Sequence, residues 1–544
     1  MQFLVVNRVP LKVFLFALFV ASITSTPYLV GELNAPAGGA YTGAAISPIG
    51  VQVDYNSHLA KMWQGRRGQW SYQLLFTHEA HVGLPLVQSF YVALGALGGV
   101  LGLSLPLMYH LSRFILTAGM VLAIWSFSAY FFVDDRRRWL GLIFGTLMLG
   151  WSWVLLIVAP GLTEQVSPIE FWLLDAFNLL GALYMPHFAA GIILQIIALL
   201  SYDRWVRLGI RKHLAILTIA LAAESIIQPY MILIFSTLFV MLTLFHLRVS
   251  KLLNWRQAAW LAIPLGIHGA LILYQFFAFR ADPVWSNFVR QNQTLSPDVI
   301  FYILGYLPFI IPIIFGARRF MLEDADDRWW IPILWTALVA ALLYGPFPTQ
   351  RRYLIGVQTQ LAVLAAYGWQ VGVLKRVKAS FRLLLTVGYG LAAAAVLLAM
   401  IWVNGRALSN VDENPNVFSS SDEVRAYDWI RSVAQPDDVI LSTFDETGQG
   451  SGGWIVGATG LRVFIGHWIE TVNFEFKVQE VKQFYNSTTS DEDRRDFLRD
   501  TSIDYLWYDD FARQTGDWNP ADADYLERVF ESDTVTIYQV LQDE

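Results

Sequence analysis

Apolar runs about as long as a membrane-crossing helix recur through the first 404 residues and then stop. A bilayer core takes roughly 20 apolar residues in helical form. Segments of that kind fall at 11–30, 107–133, 139–160, 184–201, 213–228, 230–247, 257–279, 298–316, 329–347, 353–371 and 382–403, so the pattern predicts about eleven spans. A further apolar stretch, 86–103, carries Gly95, Gly98, Gly99 and Gly102 and is expected to lie at the interface or re-enter. Arg8 and Lys12 give the first run a basic start like that of a secretory signal. That run is long and has no clear small-x-small cleavage site, so it is read as an uncleaved span.

After residue 403 the period changes. A polar linker at 404–420 leads to a helix at 421–433 with Asp422 and Glu423 at its start, where acids complement the helix dipole. Strands are expected at 439–443, 461–465, 503–508 and 535–540, and a helix at about 475–485. Alternating strands and helices predict a small α/β sandwich over 421–544. The fold class expected is a polytopic α-helical membrane protein with a C-terminal α/β domain.

Charge orients this layout. Basic connectors (Arg136, Arg137 and Arg138; Arg204, Arg207, Arg211 and Lys212; Arg248, Lys251 and Arg256; Arg318, Arg319 and Arg328; Lys375, Arg376, Lys378 and Arg382) alternate with base-poor ones, which puts the basic set in the cytoplasm. Of 44 Asp and Glu residues, 28 lie after residue 404, against 11 of 38 Lys and Arg. An odd number of crossings then places the acidic tail outside, with the N-terminus in the cytoplasm of a plasma or inner membrane. There is no cysteine, which excludes disulfides and thiolate metal sites. A net charge of −6 carried by a strongly acidic tail gives no reason to expect a nucleic-acid partner.

Two outer loops stand out within the module at 1–403. The first, 31–85, contains Asp54, His58, His78, Glu79 and His81; the second, 161–183, contains Glu164, Glu170 and Asp175 and leads to His187. Loops of such length without structure of their own are usually functional or disordered, and aromatic residues through the first one predict order. A carboxylate at an outer face can take a proton from a hydroxyl, and positive charge there can hold a phosphate. Asp54 is the first candidate base, with Glu79 as its partner carboxylate. Arg351 and Arg352 follow a proline-punctuated turn at an outer mouth, and arginine's planar fork binds phosphate oxygens bidentately. An anchor to anionic lipid headgroups is the other reading of that pair. Arg113 and Glu224 lie inside predicted spans, where an ionisable group must face a cavity or a partner. His58, His187 and Asp175 complete the candidate donor-binding set, with packing roles as the alternative for the histidines. Asp54, Glu79 and His81 are ligand types that suit a divalent ion, Mg or Mn, without a diagnostic spacing.

In the tail, the run from Gly448 to Gly453 lacks the Gly-Lys-Ser/Thr ending of a Walker loop, is not expected to open a helix, and is not read as a nucleotide site. The segment 460–471, with His467, Glu470 and Thr471, reads either as an acceptor path or as a structural turn.

The whole layout resembles the GT-C superfamily of integral-membrane glycosyltransferases. The shared features are a short cytoplasmic start, one span, a long first outer loop with an early acid, a second acid about 25 residues on, many further spans and an outer α/β domain. It is similar in arrangement to polyprenyl-phosphate-sugar-dependent mannosyl- and arabinosyltransferases and to oligosaccharyltransferases. The resemblance implies a sugar donor on a polyprenyl phosphate, an acceptor glycan, lipid or protein, and an acid of the first loop as base or metal ligand. Asp54 is the position that matches, although Tyr55 follows it and no paired-acid motif is present. A non-enzymatic transporter or lipid-handling protein, or a degenerate scaffold with an outer sensing domain, is the alternative. Secondary transporters usually carry internal repeats, and none is evident in this chain.

Overall fold

The computed structural model describes residues 9–46, 51–323, 326–412 and 415–541. It divides into two compact units. The first comprises Met1–Thr26, His110–Tyr274 and Thr294–Val403. The second comprises Pro27–Tyr109, Gln275–Gln293 and Asn404–Glu544, so the long first loop packs with the C-terminal tail.

Among the described residues, six helices are long and apolar enough to cross a membrane: Leu11–Leu33, Leu105–Phe131, Pro186–Leu208, Pro229–Arg248, Trp255–Ala281 and Ala379–Ala407. A seventh is added if Val299–Gly305 and Leu307–Met321, bent by 70° at their junction, count as one. The remaining expected spans appear as the shorter helices Asp135–Thr146, Arg211–Ile227, Trp330–Leu342 and Val357–Gly368. The helix Asp135–Thr146 ends four residues before Gly150, where a side chain would meet the carbonyl oxygen of Gly305 at 2.2 Å. Past Gly368 the helix widens into a π-turn at Trp369–Val373, because Gly368 and Gly372 lie against the backbone of Pro312 and Phe315. The stretch 86–103 contains the 12-residue helix Ser89–Val100, too short to span a bilayer.

In the second unit, five strands run in the order Arg462–Val463, Val439–Leu441, Tyr505–Tyr508, Thr536–Val540, Leu526–Glu531. The first three are parallel and the last two join antiparallel. Alternate residues of a strand face opposite sides, and two cores follow. Val439, Leu441 and Leu506 pack with Val478, Val481 and Phe484 of the helix Phe474–Phe484. Ile440, Tyr505 and Trp507 pack with Ala426, Tyr427 and Ile430 of the helix Ser421–Val433, and with Ala60, Leu75 and Phe76 of the first loop. The first loop therefore supplies part of the tail's hydrophobic core. A two-stranded ribbon, Ala40–Tyr41 against Phe418–Ser419, ties the same segments again.

The glycine run differs from expectation, since it leads into the helix Gly452–Thr459. Glycine is a poor helix former, but here its small size decides. A side chain at Gly452 would lie 2.0 Å from the carbonyl oxygen of Ile465, and one at Gly457 would lie 2.4 Å from Asn56 Oδ1.

Candidate active site

The helix Val51–Arg66 carries most of the first loop's chemistry, with Asp54 in its first turn and Arg66 in its last. Both ends suit the helix dipole. Gly68, at φ +80°, follows the end in the left-handed conformation common after a helix. Gly65 and Gly95 let this helix meet Ser89–Val100 backbone to backbone: a side-chain carbon at either would lie 1.9 Å from a carbonyl oxygen of the other helix. Residues 55–62 are consequently buried. Asp54, in the first turn, has its side chain 51% exposed.

Asp54 Oδ1 stands 3.6 Å from His467 Nε2. The backbone N–H groups of Ile469 and Glu470 both donate to His467 Nδ1, at 3.0 and 3.2 Å. A neutral imidazole must then carry its proton on Nε2, facing the carboxylate. The turn bearing His467 is fixed from two sides. Thr471 Oγ1 accepts from the backbone of Gly466 and His467 and donates to the Phe76 carbonyl. The Glu470 carboxylate accepts from Lys61 Nζ at 2.8 Å, Ser57 Oγ at 2.6 Å and the Tyr72 hydroxyl at 2.6 Å. Burial pushes the Glu470 carboxyl up, but the charge of Lys61 together with the hydrogen bonds from Lys61 and Ser57 outweighs it and holds it below the usual carboxylate range. Ser57 and Lys61 lie three and seven residues after Asp54, on the same helix face.

Glu79 and the histidines of the first loop take other roles. Lys477 Nζ, almost fully buried, donates to Glu79 Oε2 at 2.8 Å, to His78 Nδ1 at 2.9 Å and to Thr77 Oγ1 at 3.0 Å. Burial brings the Lys477 ammonium down to about 8, against the opposing pull of Glu79, and burial with Lys477 brings His78 down to about 4. Glu79 is thus the acidic half of a clasp between the first loop and the helix Phe474–Phe484. His81 accepts from the Leu74 N–H through Nε2, and its Nδ1 lies 2.7 Å from the Glu79 carbonyl. Both ring nitrogens face backbone, which leaves no lone pair for an ion. His58 stacks on Tyr91, ring centroids 3.9 Å apart. Among the described residues no group of three or more His, Asp or Glu side chains is placed to share a metal. Asp54, Glu79 and His81, the ligand types expected to suit Mg or Mn, are not gathered into such a group.

The cation candidates belong to the first unit. Arg352 Nη1 pairs with Asp175 Oδ1 at 3.0 Å, so the structure brings together the second-loop acid and the arginine pair. The Arg351 guanidinium lies 5.0 Å from the Trp172 ring centre, and that of Arg352 5.9 Å from the Tyr230 ring. Gln350 fastens the segment by accepting from Ser296 N–H and donating to the Gly345 carbonyl. Glu224 is fully buried and accepts from Gln195 Nε2 at 3.0 Å, as expected of a carboxyl facing the bundle interior. Arg113 is also fully buried and donates to the carbonyls of Thr24 and Leu183 and to Ser25 Oγ. His187 sits half-buried beside Phe188.

Lys61, Lys477 and the pairing of His467 with Asp54 were not anticipated. Lys477 had a signal: it shares the 3–4 spacing of Phe474, Val478, Val481 and Phe484, so a charge lies on the helix's apolar stripe. Lys61 lies among the buried residues 55–62 and has no comparable mark in the sequence.

No family model matches the chain, and no curated protein matches it. Among solved structures it is similar to the oligosaccharyltransferase of Archaeoglobus fulgidus, with 12% identity, a TM-score of 0.51, and coverage of 92% of this chain and 69% of that one. It is similar to the mycobacterial arabinofuranosyltransferase AftD at 13% identity and TM-score 0.55, covering 96% of this chain but 40% of AftD. With ArnT from Cupriavidus metallidurans, solved bound to undecaprenyl phosphate, the identity is 9% and the TM-score 0.51, over 96% of this chain and 98% of ArnT. At these identities the likeness is one of fold. The chain shares the fold of these solved membrane glycosyltransferases, the likeness its layout led one to expect.

Proposed function

We propose that this protein is a membrane glycosyltransferase that moves a sugar from a polyprenyl-phosphate donor to an acceptor hydroxyl, with Asp54 as the base. The observation carrying the reading is the Asp54–His467 pair: an exposed carboxylate 3.6 Å from the Nε2 of a buried imidazole whose Nδ1 accepts two backbone N–H groups. In the transfer the acceptor oxygen bonds to the anomeric carbon as the bond from that carbon to the phosphate oxygen breaks. The phosphate leaves with the electron pair, and the acceptor proton passes to the Asp54 carboxylate. His467 orients that carboxylate. Arg351 and Arg352 are assigned the donor phosphate, on the chemistry of the guanidinium fork and on their placement by Trp172 and Asp175. The fold shared with ArnT, which was solved with undecaprenyl phosphate, supports a lipid-phosphate donor.

The test is turnover of a polyprenyl-phosphate sugar by purified protein in lipid. Asp54→Asn keeps the shape of the side chain and should lower turnover at least ~100-fold, the low end of what a positioned base contributes. Wild-type turnover in a folded Asp54→Asn protein would remove Asp54 from the chemistry.

A further inference from the structure

The helix Val51–Arg66 presents a second, different face. Asn56, Leu59 and Trp63 stand about 200° around the helix from Asp54, Ser57 and Lys61. They line a cavity of about 350 Å³ whose other walls come from the ribbon residue Tyr41, from Ser104–Pro106 and from the helices Ser421–Val433 and Gly452–Thr459. Asp54 is not part of the lining. The volume lies within the range of small-molecule sites, and the mixture of aromatic walls with a few polar groups is what such sites use to bind and orient a ligand.

We propose that this cavity binds a saccharide of one or two sugar units. Three features select that class. Trp63, Trp454 and Tyr427 supply flat apolar walls, the complement of the C–H face of a sugar ring. At the rim, Arg431 Nη2 donates to Asp428 Oδ1 at 2.6 Å, which sets a donor and an acceptor side by side, the arrangement two neighbouring hydroxyls require. The walls are also held in place. Trp63 Nε1 donates to the Gly457 carbonyl at 2.9 Å, and Gly460, where a side chain would lie 2.5 Å from Trp63 Cβ, lets the indole lie against the backbone. Lipid is the poorer fit. An acyl chain gains nothing from the rim charges; a lipid phosphate near the mouth would meet Arg431 and Arg66 but also the Asp428 carboxylate, and Arg66 already donates to the Leu103 carbonyl. As a saccharide site the cavity stands on its own; as a guide for an acceptor glycan it rests on the transferase reading.

The experiment is binding, not turnover, on the full-length protein in detergent. The probes are a panel of neutral and uronic-acid mono- and disaccharides, read by intrinsic tryptophan fluorescence and by saturation-transfer NMR. A subset of the panel should bind. Affinity should fall about tenfold or more in Trp454→Leu, the size of a lost packing or charged hydrogen-bond contact. Arg431→Ala, at an exposed position that tolerates truncation, should fall likewise, so the result does not depend on one variant folding. Because no donor lipid is present and no turnover is read, this result stands or falls apart from the proposed transfer chemistry. No binding across the panel, or binding unchanged in both cavity variants, would overturn the proposal. So would complete displacement of the sugar by phosphatidylglycerol vesicles, which would identify a lipid-headgroup site.

Discussion

Arg351 is the residue whose chemistry can be separated most cleanly from its charge. Its guanidinium lies over Trp172, while its neighbour Arg352 is ion-paired with Asp175. A bidentate phosphate contact needs the planar fork, and stacking on an indole also favours guanidinium over ammonium. A headgroup anchor needs only the charge. If Arg351 grips a donor phosphate, Arg351→Lys should weaken binding of a polyprenyl-phosphate sugar nearly as much as Arg351→Ala, each by about tenfold or more. Equal binding by wild type and Arg351→Lys, measured with the same lipid, would favour the anchor. Position in the chain suggested Asp54, Arg351 and Arg352 from sequence, since each is a charge at an expected outer face. Partners were not legible there. His467 lies more than 400 positions from Asp54, and nothing local in either segment records that the fold joins them.

At the scale of elements, much of the tail was readable, but the helix Asp491–Asp500 and the edge strand Leu526–Glu531 were not expected. The helix Ser421–Val433 has the expected bounds and is capped by Ser420, whose side chain accepts from Glu423 N–H while Glu423 reaches back. Readability failed where packing overrode propensity, as at Gly452–Thr459, and where backbone contact accompanies a break in the helix, as at Gly368. The crossing of Val51–Arg66 over Ser89–Val100 belongs to the same class, because it depends on Gly65 and Gly95. Gly95→Val would drive a side chain into the Met62 carbonyl, so it should destabilise the second unit by about 1–3 kcal/mol or more, the cost of overpacking. Thermal unfolding of the purified variant checks this, and an unchanged midpoint would mean that the two helices separate freely.

For the whole molecule, the charge asymmetry along the chain is plain in the sequence, but crossings are harder to count. Among the described residues six or seven helices qualify by length and composition, against about eleven expected, because several apolar runs are broken by turns that hydropathy does not register. Orientation therefore rests on the basic connectors. We expect residue 140 on the cytoplasmic side and the C-terminus outside. Reporter fusions at the two positions should give opposite-side signals; same-side signals would place the proposed chemistry on the wrong face.

The ribbon that joins Ala40–Tyr41 to Phe418–Ser419 also constrains how the protein is made. Thr42 bonds to Val417 across 375 positions, and the first loop supplies Ala60, Leu75 and Phe76 to a core completed by the tail. At about 5–20 residues per second of synthesis, the first loop waits roughly 20–75 s for the strand it pairs with. During that interval its core-forming side chains and its ribbon edge have no native partner from the tail. The second unit is therefore a late-closing structure: its earliest segment is made near the beginning and buried near the end, so the nascent chain is most exposed to proteolysis and mispairing through the middle of its own synthesis.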